Sequence, residues 1–489
     1  MRVTMILPAV TEATSPLFRP VKYALFPPLG LATLAGHLGA DDEITIVDEH
    51  VGQRPADDDE PDLVVIECYV SSARRCYEIA DRYRARGAHV CLGGLHPSAC
   101  PDEAGAHADT VFVGPGEDTW PAFLADLRAG RPGRRYVSTR RTLVGMPPVR
   151  RDLIDRSRYL VPNSLVVSRG CPHSCDFCYK PAFFEGGRGF YTQAVDDALA
   201  EIDGLPGRHL YFLDDHLLGD PAFASALFVG MAGMGRVFQG AATVASVLRP
   251  GLIDRAADAG LRSLFVGFET LSAANLRSQG KRHNLGRDYA AAIARLHEHG
   301  VMVNASFVIG MDDDDPDVFE RTVAWAVRHG IETATFHILT PYPGTALHAR
   351  MLATGRITSH DWERYDTRHA VFTPARMTGT QLEEGYWRAY RDFYSWRNIA
   401  RGALTQGRPA AVARHAAYVI GWKKLEPMWD LVIRTRQLAR TRSTLERVLQ
   451  GSRERQGPRE RTESPDAPAQ CSGSGRLSSA PPTRRYAAS

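Results

Sequence analysis

Short apolar runs alternate with segments of helical periodicity along the first part of the chain. Five of these runs predict buried strands: VTMIL, ITIVD, DLVVIE, AHVCL and TVFVG. The segments between them, such as LGLATLAGHLGA, place apolar residues at helical spacing. This alternation is typical of a parallel sheet covered by helices. Residues 1–135 are therefore expected to form a Rossmann-like domain that binds its ligand beyond the carboxyl ends of the strands.

The alternation returns after residue 162 with a longer and more regular period. Six runs predict strands: SLVVS, HLYFLDD, QGAATVAS, SLFVGFE, VMVNASFVIG and ATFHILTP. The length of each repeat suits the βα units of a TIM-type barrel. Because there are six units instead of eight, residues 163–345 are expected to form a partial (β/α)6 barrel, which makes the chain an α/β protein.

The remaining segments predict a linker, a helical region and a tail. Residues 136–162 are basic and contain prolines, and they are expected to link the two domains. Residues 346–450 predict a loop and then helices, one of which should dock on the barrel through Leu382, Tyr386, Tyr390 and Tyr394. Residues 451–489 are rich in Arg, Ser, Pro and Gly, which predicts a disordered tail.

The charge balance gives no global reason to expect a nucleic-acid partner. The chain has 59 basic and 56 acidic residues, a formal net charge of +3. No apolar run reaches the length of a membrane span, and MRVTMILPAV reads as a first strand and not as a signal segment. A cytoplasmic protein is therefore expected. For the basic run RNIARGALTQGRPAAVARH a solvated face is favoured over a membrane or an acidic partner, which stays open as the alternative. Thiols stay reduced in that compartment, so the eight cysteines do not predict a disulfide framework.

Three cysteines form a constellation in SRGCPHSCDFCYK, which runs from Ser168 to Lys180. Cys171, Cys175 and Cys178 have the spacing C-x3-C-x2-C, and no second cysteine pair completes a zinc site. His173 lies between two of them, where it would be a geometrically poor fourth ligand. Three thiolates with one open position suit a [4Fe–4S] cluster. The motif also follows the first predicted barrel strand, where barrel active sites are built.

The motif CPHSCDFC, with an aromatic residue before its last cysteine, resembles the signature of the radical S-adenosylmethionine (SAM) superfamily. Six βα units match the partial barrel of that superfamily. The resemblance implies that the three cysteines bind three irons while SAM chelates the fourth. It also implies SAM contacts from a group of residues around the barrel mouth: Phe177, Tyr179, Asp214, Asp215, Glu269 and Ser306. One of the two aspartates is equally compatible with a helix N-cap.

The N-terminal region is similar to the cobalamin-binding domain that is fused to many radical SAM enzymes. FPPLGLATLAGHL, CLGGLHPSACPDEA and VFVGPGEDTWP carry this resemblance. The implied cobalamin contacts are Tyr69, Ser71, Ser72, Gly93, Gly94, His96, Gly114, Gly116 and Glu117. Turn formation alone would explain any single glycine. Cobalamin proteins that replace the lower axial base with histidine use the motif Asp-x-His-x-x-Gly. Asp48, His50 and Gly52 have a spacing that is one residue too short for this motif. The lower face of the cobalamin is therefore expected to meet a protein surface without a histidine ligand.

The resemblance implies an enzyme with three cofactors: a [4Fe–4S] cluster, SAM and cobalamin. The leading hypothesis is a C-methyltransferase that uses a 5′-deoxyadenosyl radical and methylcobalamin to methylate an unactivated carbon of a natural product or lipid-like small molecule. The alternatives are a non-methylating rearrangement, cyclisation or oxidation, and a cofactor-binding sensor module. An electron donor such as flavodoxin or ferredoxin is implied. Trp362, Tyr365, His369 and Arg376 are candidate substrate contacts.

Overall fold

In the computed structural model, which describes residues 1–14, 20–435 and 446–449, the first sheet has six strands. They are β1 (Arg2–Leu7), β2 (Glu43–Asp48), β3 (Leu63–Glu67), β4 (His89–Gly93), β5 (Thr110–Val113) and β6 (Arg135–Val137). All neighbours pair in parallel, in the order β2-β1-β3-β4-β5-β6. The five predicted strands are confirmed, and β6 is an additional edge strand.

Helices connect these strands and cover the sheet. They are α1 (Leu29–Ala35), α2 (Ala73–Arg84), α3 (Leu95–Ala99), α4 (Pro101–His107) and α5 (Trp120–Arg128). The strand order reverses between β1 and β3, so the loops after these two strands diverge and leave a crevice at the carboxyl edge. Doubly wound sheets bind their ligands at such a switch point.

The second sheet confirms the six predicted strands of the partial barrel. They are β7 (Ser164–Leu165), β10 (His209–Phe212), β11 (Val237–Thr243), β12 (Leu261–Glu269), β13 (Met302–Ile309) and β14 (Thr333–Ile338), paired in parallel in that order. A fully buried phenylalanine lies on each strand from β10 to β14: Phe212, Phe238, Phe268, Phe307 and Phe336. These side chains form one continuous core with the surrounding helices.

The helices of this region follow the barrel strands. They are α6 (Lys180–Phe183), α7 (Val195–Gly204), α8 (Pro221–Met231), α9 (Val244–Val247), α10 (Leu252–Ala259), α11 (Ala273–Ser278), α12 (Tyr289–Glu298), α13 (Val318–Arg328) and α14 (Ala346–Ala353). Short 3-10 turns occur at Thr11–Thr14, Val21–Ala24, Glu49–Val51, Val70–Ser72, Arg151–Leu153, Arg156–Arg158, Arg282–Asn284 and Trp362–Arg364.

The stretch SLVVS does not form one strand up to the cysteine motif, as the sequence pattern indicates. After β7 the chain enters β8 (Ser168–Gly170), which pairs antiparallel with β9 (Phe190–Thr192) in a separate two-stranded sheet. The cysteine motif is therefore the connection that leads out of β8, and this small hairpin sets its direction.

The C-terminal helices are α15 (Gly379–Phe393), α16 (Trp396–Leu404), α17 (Pro409–Val419) and α18 (Glu426–Arg434), with a π-helical turn at Ile420–Lys424. The predicted docking of α15 is confirmed. The Tyr394 hydroxyl accepts from the Ala334 amide at 3.0 Å and donates to the Ala334 carbonyl at 2.9 Å. Tyr390 bonds the backbone of Phe336 in the same way. These contacts satisfy the backbone of the edge strand β14.

Within the described ranges, no helix combines the length and apolarity needed to cross a bilayer. The predicted tail, residues 451–489, lies outside those ranges. The domain limits at residues 135, 162, 345 and 450 remain predictions, although β6 runs across the first of them.

Candidate active site

The three motif cysteines lie together in the loop after β8. All three are free thiols, and the Cys178 amide donates to the Cys175 carbonyl at 3.0 Å. Burial raises the pKa of each thiol, that of Cys175 to about 12, and the Lys281 ammonium opposes the effect at all three. Metal ligation requires thiolates, so a neighbouring cation favours it. Three sulfur donors in one loop fit a cluster with one non-cysteine position.

Asp214 holds the strand that enters this loop. Its carboxyl group accepts from the Val167 amide at 3.3 Å and from both the amide and the hydroxyl of Ser168 at 2.5 Å. The side chain is 3% exposed, and burial raises its pKa to about 7 against the three hydrogen bonds. Asp214 therefore binds Val167 and Ser168 and does not line the cavity, and the residue that caps α8 is Asp220.

Glu269 ends β12 in an unusual conformation. Its φ of 66° is left-handed, and the register with β13 shifts between Gly267 and Glu269. The carboxylate receives a 2.5 Å ion pair from Lys281, and both side chains are nearly buried. A non-glycine residue held at such a φ costs about 1–3 kcal/mol, and this kind of strain is concentrated at functional sites. The bulge aims the carboxylate at Lys281, whose charge also acts on Cys175.

Asp215 and Lys180 form a second ion pair, next to the cysteines. The Lys180 ammonium also contacts the Tyr179 hydroxyl at 2.7 Å, and the Gly170 amide donates to Asp215 at 3.0 Å. Burial lowers the pKa of Lys180, but Tyr179 and Asp215 outweigh burial, so the pKa is raised overall. Lys180 is therefore charged where the cysteine loop meets the cavity.

A cavity of about 1430 Å³ lies between the carboxyl edges of the two sheets. The loops after β1, β3 and β4 form one wall, which contains the β1–β3 switch point. Tyr69, Ser71 and Gly94 belong to that wall, and Tyr179 and Asp215 belong to the barrel wall. The structure thus brings five predicted cobalamin and SAM contacts onto one cavity.

The other predicted cobalamin residues, which are Ser72, Gly93, His96, Gly114, Gly116 and Glu117, do not line this cavity. Ser72 is buried and its hydroxyl bonds the Tyr69 carbonyl at 3.3 Å. His96 is fully buried and lies 3.2 Å from Glu103, and burial lowers its pKa. Gly93, Gly114 and Gly116 form the ends and turns of β4 and β5. Gly94 has a φ of 108°, and a Cβ there would lie 2.9 Å from the Cys68 carbonyl oxygen.

The predicted SAM residues on the barrel differ in how they are placed. Phe177 is partly buried against the barrel core. Ser306 is 5% exposed and pairs in register with Gly267 on β12. Two positions earlier, the Oδ1 atom of Asn304 is buried without a hydrogen-bond partner in the described part of the chain. Unsatisfied buried polar groups are rare, so this oxygen suits a bound polar ligand.

Sequence reasoning missed three cations at the site. Lys180 and Lys281 pair with two of the three candidate SAM carboxylates, Asp215 and Glu269, and Arg169 forms a 2.5 Å ion pair with Glu117. Arg169 is the residue two positions before Cys171, so its place in SRGC was visible. Its partner was not, because Glu117 lies far away in the chain, in the turn between β5 and α5. The Asp48–His50 pair also has a local role: Asp48 caps the turn Glu49–Val51.

Comparison with known proteins agrees with this geometry. The Radical SAM superfamily model matches residues 165–342, and the B12 binding domain model matches residues 22–124. Bacteriochlorophyllide d C-12(1)-methyltransferase of Chlorobaculum tepidum is 29% identical over 396 residues, 78% of this chain and 85% of that protein. Hopanoid C-2 methylase of Rhodopseudomonas palustris is 27% identical over 355 residues, 69% of this chain and 66% of that protein.

Solved structures show the same fold. The structure of the radical S-adenosylmethionine methyltransferase TsrM from Kitasatospora setae, with cobalamin and a [4Fe–4S] cluster bound, matches with a TM-score of 0.60 at 15% identity. The match covers 90% of this chain and 99% of TsrM. The cobalamin-dependent radical enzyme OxsB, with aqua-cobalamin and S-adenosylmethionine bound, matches with a TM-score of 0.61 at 14% identity, over 91% of this chain and 75% of OxsB.

The fold and the site define a radical SAM enzyme with a fused cobalamin-binding domain. The chain belongs to the cobalamin-binding-domain radical SAM family, and several of its relatives are named as methyltransferases. Its cofactors are a [4Fe–4S] cluster, SAM and cobalamin, and its substrate is a small molecule. The predictions of family, fold class, enzymatic function and cofactors are confirmed, which excludes the sensor interpretation.

Proposed function

We propose that this chain is a radical C-methyltransferase that methylates an unactivated carbon of a large, mainly apolar natural product or lipid-like molecule. The cavity between the two carboxyl edges is the observation that carries the proposal. Methyl transfer to a carbon radical requires the substrate to reach both cofactors, and one continuous space borders both predicted cofactor walls.

The residues of the chain have separate tasks in this proposal. When bound, the cluster, SAM and cobalamin supply hydrogen abstraction from an unactivated carbon and a transferable methyl group. Cys171, Cys175 and Cys178 hold the cluster. Asp215 and Glu269 offer carboxylates to SAM from the barrel side. On the opposite wall, the backbone of Gly94, together with the Tyr69 and Ser71 side chains, faces cobalamin.

The walls of the cavity support an amphiphilic substrate. Much of the lining is apolar, including Phe26, Leu143, Met146, Phe183 and Leu213. Apolar surface of this kind binds through the hydrophobic effect and orients the molecule weakly. A few polar groups must therefore fix the orientation.

A charged group at the C-terminal side of the cavity supplies such contacts. The Arg368 guanidinium pairs with Glu12 at 2.6 Å and with Asp366 at 2.8 Å, and Lys22 pairs with Glu12 at 3.1 Å. His369 and Lys22 line the cavity as well. The segment that contains the predicted substrate contacts thus lies against the N-terminal loop here. We assign to these charged side chains the binding of a polar group of the substrate.

One relative favours a second candidate function. The anaerobic magnesium-protoporphyrin IX monomethyl ester cyclase of Cereibacter sphaeroides is 25% identical over 246 residues, 48% of this chain and 39% of that protein. A non-methylating cyclisation or oxidation is the alternative that this relationship supports.

Methyl-labelled SAM separates the two functions. The reconstituted enzyme is incubated anaerobically with a reductant and with chlorophyllide-type tetrapyrroles or polycyclic isoprenoids. Methylation transfers the label to the product as 5′-deoxyadenosine accumulates. Cys175→Ala should abolish both signals, and the matched control Cys100→Ala should retain both. Turnover of a substrate with deoxyadenosine formation but no labelled product would contradict methylation and favour the alternative.

We further propose a small electron-transfer protein, flavodoxin or ferredoxin, as the reductant, and a cytoplasmic location, since three reduced thiols are needed to assemble the cluster. Cluster assembly on protein isolated anaerobically from the cytoplasmic fraction tests the location. A chain recovered only from an oxidising compartment would contradict it.

A further inference from the structure

Part of the cysteine loop reaches the protein surface at residues that do not line the cavity. Pro172 and Ser174, between the first two cysteines, are exposed. The segment after α11 packs against this side of the loop. The Asp176 amide donates to the Gln279 carbonyl at 3.0 Å, and the His173 ring stacks on His283 with 3.7 Å between centroids.

Four exposed arginines surround this contact. They form what we call the arginine surface: Arg249, Arg277, Arg282 and Arg287. Arg282 precedes His283 in the chain, and the Arg287 Nε atom donates to the His283 carbonyl at 3.3 Å. Arg249 acts electrostatically on His216, whose ring lies 5.8 Å from that of His173.

The positive charge of the arginine surface is not neutralised locally. Within residues 1–14, 20–435 and 446–449, none of the four arginines has a carboxylate oxygen within ion-pair distance. The acidic run nearby has its own cations: Asp312 pairs with Arg356, Asp313 with Arg376 and Asp315 with Arg321. Asp288, next to Arg287, caps α12.

The histidines beneath the arginine surface add no charge at neutral pH. Burial, first, and then Lys281 or neighbouring histidines lower the pKa of His216 and of His283 to about 3. The exposed positive field therefore comes from the arginines. An exposed field of one sign steers partners of opposite charge and accelerates their encounter.

We propose that the arginine surface is the docking site for an acidic one-electron carrier protein that reduces the cluster. The inference rests on the proposed function, because it needs a cluster on the three cysteines. The step transfers one electron: an anionic reduced flavin becomes its neutral radical, the cluster is reduced by one electron, and no proton is exchanged. Short-lived electron-transfer complexes have small interfaces, so a few exposed charges around one loop can guide the partner.

Binding of an acidic flavodoxin tests the docking directly. Calorimetric titration compares the wild-type chain with the variant Arg277→Glu/Arg282→Glu at low and at high salt. The wild-type affinity should fall as salt rises, because salt screens exposed charges. At low salt the variant should bind about tenfold more weakly or worse. The matched control Arg397→Glu/Arg401→Glu, which changes the same charge on α16, should bind like the wild type.

The choice of reductant separates docking from other effects. With flavodoxin the charge-reversed variant should form 5′-deoxyadenosine slowly, and with dithionite at the wild-type rate. Arg277→Lys/Arg282→Lys should behave like the wild type with both. Unchanged flavodoxin binding, an equal loss in the α16 control, or an equal loss with dithionite at normal iron content would overturn the proposal. A wild-type chain that cleaves SAM with dithionite but transfers no methyl group would instead contradict the proposed function.

Discussion

Asp214 provides a test of how burial and hydrogen bonding compete at the entrance to the cysteine loop. Three hydrogen bonds from Val167 and Ser168 favour the carboxylate, while nearly complete burial and the neighbouring Asp215 charge disfavour it. The effect of burial on the pKa exceeds that of the hydrogen bonds, because the pKa lies near 7 and the ordinary value is 3.8. The native state therefore binds a proton between these two values that the unfolded chain has released.

The sign of the pH effect follows from this difference. A carboxyl group whose pKa is raised by folding stabilises the native state when protonated, and this contribution is lost as pH rises towards the folded pKa. One pKa unit corresponds to about 1.4 kcal/mol. Between pH 5 and pH 8, Asp214 should therefore lower the free energy of unfolding by about 2–3 kcal/mol.

Asp214→Asn removes the titration while nearly preserving the shape. The amide nitrogen of the new side chain opposes a backbone donor, which adds a pH-independent cost of about 1–3 kcal/mol. The gap in unfolding free energy between wild type and variant should thus shrink by about 2–3 kcal/mol from pH 5 to pH 8. Denaturant unfolding of the metal-free chain, followed by circular dichroism, measures it. Asp196→Asn, at an exposed position on α7, is the control and should show a constant gap. A gap for Asp214→Asn that stays constant over this range would show that the hydrogen bonds outweigh burial and would refute the reasoning.

Three further changes probe the site. Cys175→Ala should abolish iron binding and SAM cleavage but leave cobalamin absorbance after gel filtration; loss of both would show that the two regions are not separable. Lys281→Met should destabilise the chain by about 3 kcal/mol in thermal unfolding, since Glu269 is left unpaired, and adding Glu269→Gln should restore most of the loss; no recovery would contradict the ion-pair argument. Gly94→Ala should weaken cobalamin binding in spectroscopic titration, because its Cβ would meet the Cys68 carbonyl and its φ is left-handed; wild-type affinity would show that the β4 turn can adjust.

The pattern and spacing of residues were sufficient to predict those parts of the molecule that depend only on residues close together in the chain. The parallel strands follow from apolar runs, and the spacing of Cys171, Cys175 and Cys178 is short enough to place all three thiols in one loop. Both signals are carried by neighbouring residues, so no tertiary contact is needed to interpret them. The edge strand β6 was missed because RYV is short, lies at the end of the sheet and is mostly exposed.

Sequence could not distinguish the roles of two adjacent carboxylates. Asp214 and Asp215 end the same apolar run, yet one is buried against Ser168 while the other pairs with Lys180 at the cavity. Consecutive residues of an extended chain point in opposite directions, so only one of them can face the cavity. Which one does so depends on how β10 lies against β7. The Lys281–Glu269 pair likewise depends on the bulge in β12.

The three residues before the first cysteine show why the motif acts as part of a larger structure. Ser168 bonds Asp214 at the barrel, and Arg169 pairs with Glu117 in the turn after β5 of the first domain. Gly170 has a φ of 81°, and a Cβ there would lie 2.0 Å from a backbone carbonyl oxygen, so only glycine fits. Consecutive residues therefore fix the start of the cysteine loop to both domains at once. Because one strand makes both attachments, a shift of either domain would move the predicted cluster ligands relative to the cavity, and the ion pair between Arg169 and Glu117 is one of the contacts that oppose such a shift.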